Sequence, residues 1–278
     1  MRHLAFSCIL IAFLTGLAAA GTKPEEVVTK NLDSIGTADA RAAVKSRAVQ
    51  GTLQFKILLG GSGETAGLWQ LFSEPNKSNV VLKFGGGDWW GERFVFDGEK
   101  TSFAIANSSH QYSVVGEFMR SHDFIVKDGL LGGELSMNWA LTNLDHLQAK
   151  LESMGLKKID GRELEGVEYL SKRNGEMAVR LYFDPATGRH VMTVYSVERA
   201  ANIAHNDIAN AKQQQIHYTV EERFSDFQTS NGITLPRHYD LHYTQQMQNG
   251  SMKEYEWIMT VDKVLDNAAI NPVNFQAK

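Results

Sequence analysis

The sequence predicts an α+β fold, a curved antiparallel half-barrel of about eleven strands with helices covering its concave face. Polar and apolar residues alternate along most of residues 223–261, as in strands with one buried and one solvated face. The dipeptide Asn-Gly stands at each break in this stretch, at 231–232 and 249–250, and suits a two-residue type I′ hairpin turn. A single sheet of about eleven strands would also curl, because neighbouring strands twist relative to one another.

The first 20 residues have the pattern of a signal peptide. Arg2 gives a positive start, residues 4–17 are almost continuously apolar, and 18–20 are alanines that suit cleavage. We expect cleavage after Ala20 and export to the periplasm. The alternative is a retained membrane anchor, but the apolar run is short for a span of about 20 residues.

Composition limits what the mature chain can do. The only cysteine, Cys8, lies within the apolar run, so residues 21–278 have no thiol for a disulfide, a nucleophile or a metal site. The net charge is −4 for the whole chain and becomes −5 once Arg2 is removed, with acids and bases interspersed. No basic run of the kind that binds phosphate backbones is present, so nucleic acid is not an expected partner.

Two short helices are predicted before the first strand. Thr22 and Glu25 have the spacing of a capping box, and residues 27–35 carry an apolar stripe that ends before Gly36. Residues 37–47 are rich in alanine and predict the second helix.

Eleven strands follow from period-two patterns bounded by glycine, proline and Asp-Gly dipeptides. They are predicted at 48–57, 68–72, 79–84, 90–96, 101–105, 167–170, 178–183, 191–197, 216–227, 233–243 and 255–261.

The middle of the chain interrupts this rhythm. Residues 114–131 have a helical pattern, and 135–151 are markedly apolar with no clear period. We therefore predict one domain, 21–278, with a helical insertion around 106–166 and a polar loop or short helix at 200–212. The helices at 24–35 and 114–131 are expected to cover the sheet.

The alternation in the last strands gives the sheet one apolar face, which excludes an all-parallel sheet. That face must pack against a second sheet, close on itself, or be covered by helices. Exposed apolar surface costs about 25 cal/mol per Å². If the helices cover the apolar face of the sheet incompletely, we therefore expect a ligand to bury the remainder. A partly covered apolar trough in an exported protein suits acyl chains.

Three sequence motifs mark the C-terminal part of the chain. They are FSDFQTSNGITLPRHYDLHY from Phe224, LYFDPATGRHVMTVYS from Leu181, and NPVNFQAK at the C-terminus. Through these motifs the sequence resembles the lipoprotein-sorting protein family related to LolA, specifically over 181–278 and generally over 24–105. The resemblance implies a half-closed antiparallel barrel, capped by helices, with a hydrophobic cavity that receives lipid acyl groups.

Large aromatic residues from the predicted strands and helices are the candidates for the lining of that cavity. They are Phe55, Trp69, Trp90, Phe94, Phe118, Phe124, Trp139 and Trp257. The alternative for each of them is ordinary core packing, since aromatic side chains dominate cores as well.

Other residue groups have simpler interpretations. His238, Asp240 and His242 share one strand face and could ligate a metal, but a solvated polar face predicts the same residues. The glycine runs at 60–63 and 85–87 lack the lysine of a phosphate-binding loop, and no Gly-x-Ser-x-Gly elbow occurs. No catalytic residue, cofactor or metal is therefore expected.

The sequence thus predicts a carrier or chaperone, not an enzyme, that binds the acyl chains of lipids or lipoproteins. An envelope protein is a possible second partner. One alternative is a protein-sensing interaction module of the same fold, and another is a metal-dependent hydrolase.

Overall fold

The fold is taken from a computed structural model, which describes residues 22–85, 91–105, 111–199, 216–247 and 249–276. The predicted signal peptide, Trp90 and the loop at 200–212 lie outside these residues. The helices are α1 (Pro24–Ile35), α2 (Ala38–Ala43), α3 (Val114–Ser121), α4 (Phe124–Lys127) and α5 (Leu144–Leu147), with 3₁₀ turns at Gly133–Leu135, Ala140–Thr142 and Pro272–Phe275. In the described ranges, no helix is both long and apolar enough to cross a membrane.

The described strands form one antiparallel sheet. They are β1 (Arg47–Leu59), β2 (Gly63–Glu74), β3 (Lys77–Phe84), β4 (Gly91–Phe96), β5 (Thr101–Ile105), β6 (Lys150–Ile159), β7 (Arg162–Leu170), β8 (Ala178–Phe183), β9 (His190–Arg199), β10 (Ile216–Ser230), β11 (Ile233–Gln246) and β12 (Met252–Asp266).

The strand order is β5-β4-β3-β2-β1-β12-β11-β10-β9-β8-β7-β6. Two meanders, one from each half of the chain, meet where β1 pairs with β12. Strands β5 and β6 lie at opposite edges, so the sheet is open. The predicted fold class is confirmed, a curved antiparallel half-barrel of the α+β class, with twelve strands instead of about eleven.

The additional strand is β6, at an edge of the sheet. Its residues alternate poorly between exposed and half-buried, and Leu156 is 56% exposed. Leu151 and Ile159 pack against the apolar clusters, but five of the seven residues between them are exposed, so the sequence of 150–159 has no period-two pattern that would reveal the strand. Its hairpin partner β7 also begins earlier than predicted, at Arg162.

The two Asn-Gly dipeptides differ in the structure. Asn231 and Gly232 both have positive φ, 51° and 77°, as a type I′ turn between β10 and β11 requires. The prediction for 249–250 is wrong, because β11 ends at Gln246 and β12 begins at Met252. That connection spans five residues, and the Met247 N–H donates to the Ser251 carbonyl across it.

The helical predictions need three corrections. Lys23 is the N-cap of α1 in place of Thr22, whose hydroxyl donates to Glu165 Oε2 at 3.0 Å. Helix α2 has six residues, since the backbone is already extended at Val44 and β1 begins at Arg47. The expected helix at 114–131 is divided between α3 and α4, since the chain turns at 122–123 to follow the sheet.

The inward-facing residues of the closing strands are buried as the alternation predicts. Leu241, Tyr243, Trp257 and Met259 are each at most 4% exposed. They belong to one apolar core that also contains side chains of α1, α3 and α4. The helices therefore pack against the concave face of the sheet.

Candidate binding site

The concave face of the half-barrel is filled by the protein itself. Residues 111–149, here called the crossing segment, connect the β5 edge of the sheet to the β6 edge. Helix α3 and helix α4 contact β4, and the 3₁₀ turn at Gly133–Leu135 contacts β11. The buried apolar side chains of this segment are Val115, Phe118, Met119, Phe124, Ile125, Val126, Leu130, Leu131, Leu135, Trp139, Ala140 and Leu141.

Two buried carboxylates of the sheet hold the crossing segment in place. Glu222 of β10 accepts hydrogen bonds from the Gly132 N–H at 2.9 Å and the Tyr195 hydroxyl at 2.8 Å. Glu92 of β4 accepts from the Ser113 hydroxyl at 2.8 Å, and Ser113 caps α3 by accepting from Gly116 N–H. Burial raises the pKa of both carboxyls to about 7.

Two carboxylates of the crossing segment in turn accept hydrogen bonds from residues outside the segment. Asp128 accepts from the Tyr169 hydroxyl at 2.9 Å and from Arg173 at 2.8 Å. Glu134 is buried and accepts from the Asn31 side chain and, at 3.0 Å, from the His190 N–H. Burial raises the pKa of Glu134 to about 7.

Asn31 connects α1 to the crossing segment. It lies in the apolar stripe of α1 and is 0% exposed. Its Nδ2 donates to Glu134 and to the Gly188 carbonyl, while its Oδ1 accepts from Trp139 Nε1 at 3.1 Å. A buried amide with all these partners fixes the angle at which α1 lies over the segment.

His190 fills the space behind this network. Its ring lies 4.8 Å from the Trp139 ring and 4.9 Å from the Phe224 ring. Burial lowers the pKa of His190 to about 3, so the ring is neutral. The ring acts as an aromatic core residue, and its Nε2 lies 2.8 Å from the Thr193 hydroxyl oxygen.

Seven of the eight predicted lining residues lie in the described part, and all seven are buried at 5% exposure or less. Phe55 packs against Trp257 with ring centres 5.0 Å apart, and Trp69 packs against Tyr239 at 5.9 Å. Phe94 and Phe124 are also members of the large apolar core.

A cleft of about 570 Å³ opens beside this core, between the α1–α2 helices and the crossing segment. Its apolar walls are formed by Leu32, Ile35, Val44, Met137, Trp139 and Ile233. Its volume lies within the range of about 300–1,000 Å³ that is typical of small-molecule sites. The exposed alanines Ala38 and Ala42 of α2 leave the opening wide.

Charged side chains border the same cleft. Arg41, Lys45 and Arg47 contribute to its lining, together with Glu134. Arg47 is buried and paired with Asp266 at 2.7 Å, and Arg41 lies 3.6 Å from Asp33. Sequence patterns did not single out these residues, because they come together only when β1 follows α2 back under α1.

A second cavity, of about 260 Å³, lies between α3 and the ends of β10 and β11. Phe118, Tyr218 and Tyr243 line it. Of the predicted set, Trp139 therefore reaches the cleft and Phe118 reaches the second cavity. Phe55, Trp69, Phe94, Phe124 and Trp257 line neither of these two spaces.

On the polar face of the sheet, His238 and His242 each lie near one carboxylate. His238 Nε2 lies 3.0 Å from Asp240 Oδ1, and His242 Nε2 lies 4.0 Å from Glu254. His217 pairs with Gln246, away from His238, which pairs with Thr260. Within the described residues, no group of three or more His, Cys, Asp or Glu side chains is placed to hold a metal ion.

The described residues thus define a half-barrel protein with a self-filled concave face and a lateral cleft. No protein-family model matches the sequence, and no curated protein matches it either. Solved structures with a similar fold include a LolA superfamily protein from Nitrosomonas europaea, 11% identical, with a TM-score of 0.48 over 92% of this chain and 98% of that one. The resemblance to LolA-like proteins that the sequence predicts is confirmed for the fold.

Two further structures are similar in the same sense. A putative outer membrane lipoprotein-sorting protein domain from Vibrio parahaemolyticus is 10% identical, with a TM-score of 0.42 over 89% of this chain and 97% of that one. A chain of the Pseudomonas aeruginosa MucA/MucB complex is 10% identical, with a TM-score of 0.25 over 88% and 100%. At these identities the likeness concerns the fold alone.

Proposed function

We propose that this chain is an exported binding protein, not an enzyme, that holds an acyl chain of a lipid or lipoprotein. The observation that carries the proposal is the cleft, whose apolar walls and 570 Å³ volume suit a hydrocarbon chain. Each buried methylene contributes about 0.8 kcal/mol, so an alkyl chain is held without a specific polar contact.

The cleft is a more accessible site than the concave face. Exposing a large buried apolar side chain costs about 1.5–3 kcal/mol, and the crossing segment buries a dozen apolar residues. Lifting the segment from the sheet would therefore cost more than the 5–15 kcal/mol that stabilises a typical domain. In the predicted aromatic set, Trp139 is the residue that we place against the ligand, with the buried members supporting the walls.

The test is to fill the cleft with a side chain of the protein. Ala42→Trp adds bulk at an exposed position of α2 that lines the cleft, so it should not disturb the core. Ala43→Trp is the matched control, an exposed neighbour outside the lining. Delipidated protein is titrated with a fluorescent fatty acid.

We expect Ala42→Trp to weaken binding at least about tenfold, the loss that corresponds to removing about two buried methylenes. Ala43→Trp should bind like the unmodified chain. Equal affinity in both variants, or no binding by the unmodified chain, would refute the proposal.

Export is part of the proposal, because the segment at 1–20 has the pattern of a cleaved signal peptide. N-terminal sequencing of the exported protein should begin at Gly21. A chain that retains Met1 in the envelope would instead be anchored.

An envelope protein is the second candidate partner, and one feature favours it. Leu58 and Leu59 at the end of β1 and Met252 at the start of β12 are exposed by 40–47%, at the same end of the sheet. Native mass spectrometry of protein purified from its own compartment separates the candidates. A co-purifying lipid mass supports the carrier, whereas a bound polypeptide without lipid supports the interaction module.

A further inference from the structure

We propose that the ligand of the cleft is an amphiphile with a single alkyl chain and an anionic head, and that Lys45 and Arg41 bind the head at the rim. This inference rests on the proposed function, because it specifies what occupies the same site. Two observations carry it: the size of the cleft and the distribution of charge around it.

The volume allows one chain. A methylene group is about as large as a water molecule, whose share of liquid volume is about 30 Å³. A cleft of about 570 Å³ therefore has room for at least about 19 such groups, which is enough for one fatty acyl chain of ordinary length.

The apolar walls leave one end of the cleft for a polar head. Ile35, Val44 and Ile233 are buried below 8% exposure, and Trp139 is at 1%. Lys45 and Ala42, also in the lining, are exposed. A chain lying along the buried wall would thus place its head beside Lys45, at the end of α2.

Lys45 supplies the unopposed positive charge. Arg47 is paired with Asp266 at 2.7 Å, whereas Lys45 makes no ion pair with any residue that the structure describes. The backbone N–H of Lys45 donates to Asn267 Oδ1 at 2.8 Å, which fixes the position of the residue while its side chain extends into solvent.

Arg41 is a second donor at the same rim. Its guanidinium donates to the Leu32 and Gly36 carbonyls, which hold it at the end of α1. Its counter-ion, Asp33, lies 3.6 Å away and is 69% exposed, so that pair is weak. Planar guanidinium groups bind carboxylate and phosphate oxygens well.

The one acidic group in the lining does little to oppose an anion. Glu134 is 3% exposed, and its carboxyl accepts from the Asn31 side chain and the His190 N–H. Because burial raises the pKa of Glu134 to about 7, its charge is only partial at neutral pH. Among the charged side chains of the lining, the cations Arg41, Lys45 and Arg47 therefore outweigh the single carboxyl group.

The experiment compares three ligands that have the same twelve-carbon alkyl chain and different head groups. Delipidated protein is titrated with dodecanoate, dodecyl phosphate and dodecan-1-ol by calorimetry. Lys45→Gln removes the charge, and Lys83→Gln is the control, an exposed lysine of β3 outside the lining.

We expect dodecanoate or dodecyl phosphate to bind more tightly than the alcohol, and the tighter of the two identifies the head. Lys45→Gln should weaken the binding of the anionic ligand roughly fivefold. This loss lies between the effect of removing an exposed ion pair and that of removing a buried charged hydrogen bond. Lys45→Gln should bind the alcohol with unchanged affinity. Lys83→Gln should bind both the anionic ligand and the alcohol like the unmodified chain.

Equal binding of anion and alcohol, or equal weakening in both lysine variants, would refute the anionic head but leave the acyl-chain proposal intact. Binding of none of the three probes would overturn both.

Discussion

Glu222 is an acid at a position where the alternation of β10 calls for an apolar residue. Val220 and Phe224, two residues away on either side, are buried in the core, and Glu222 itself is 0% exposed. Its carboxyl accepts from a backbone N–H of the crossing segment and from the Tyr195 and Tyr239 hydroxyls. A buried acid with these partners connects the sheet to the segment at the cost of desolvation.

That desolvation makes stability depend on pH. The pKa values of Glu92, Glu134 and Glu222 are each raised by burial from 4.5 to about 7. At these three carboxyls the folded state binds protons more tightly than the unfolded state between those values. The free energy of unfolding therefore falls as pH rises from about 5 to about 7, because the opposite effect of His190, a single group with a lowered pKa, is smaller. One pKa unit corresponds to about 1.4 kcal/mol.

We therefore expect urea unfolding to give a higher free energy of unfolding at pH 5 than at pH 8. Glu222→Gln should reduce this difference, because the amide keeps an acceptor but does not titrate. Glu221→Gln, on the opposite face of the same strand, is the control and should retain the full difference. A free energy that is flat or rises over this interval would contradict the assignment.

At the scale of elements, the crossing segment differs from the single covering helix that the sequence predicts, because it contains several short helices and turns. It leaves the β5 edge, follows the concave face through α3 and α4, and turns sharply at Gly129. Gly129 has a φ of 73°, and a Cβ there would lie 1.5 Å from the Asn138 carbonyl oxygen. The segment can fold back on itself only because this position has no side chain.

Gly129→Ala should thus destabilise the protein more than the backbone conformation alone requires. Gly175→Ala is the control, since Gly175 also has a positive φ, 60°, but nothing lies within 4 Å of a Cβ there. The control should lose about 1–2 kcal/mol, and Gly129→Ala roughly 1–3 kcal/mol more. Equal losses in urea unfolding would show that the segment is not packed tightly at this turn.

The sequence predicted those elements whose two faces meet different surroundings. Strands β10 to β12 have one buried and one solvated face, and their alternation located them with the correct inward residues. Strand β6 is largely exposed and its burial does not alternate regularly. Asp160-Gly161 at its end is a hairpin signal, and both residues have positive φ.

The site was harder to predict than the strands. The aromatic set was located within the core, yet packing against the crossing segment leaves only Trp139 at the cleft among its described members. Which side chains border an empty space depends on how α2, β1 and residues 134–143 pack together. That arrangement is tertiary and leaves no local pattern in the sequence. The sequence therefore does not indicate that Lys45 and Arg41 border the cleft.

At the scale of the whole molecule, the half-barrel provides a rigid frame and the cleft lies at its side. One wall of the cleft is α1 and α2, the other is the crossing segment, and Asn31 hydrogen-bonds across from the first to Glu134 and Trp139 of the second. If the proposed function is correct, ligand uptake in the cleft would leave the twelve-stranded sheet and its filled concave face unchanged. The acyl chain would then lie beside the core, in contact with Trp139.

Tryptophan quenching by 12-bromododecanoate locates the ligand directly, because bromine quenches only a tryptophan that it contacts. Trp139 lines the cleft, whereas Trp257 lies in the core of β12 at 1% exposure. Quenching should disappear in Trp139→Phe and persist in Trp257→Phe. Quenching that persists in Trp139→Phe and disappears in Trp257→Phe would place the ligand in the half-barrel and contradict a filled concave face.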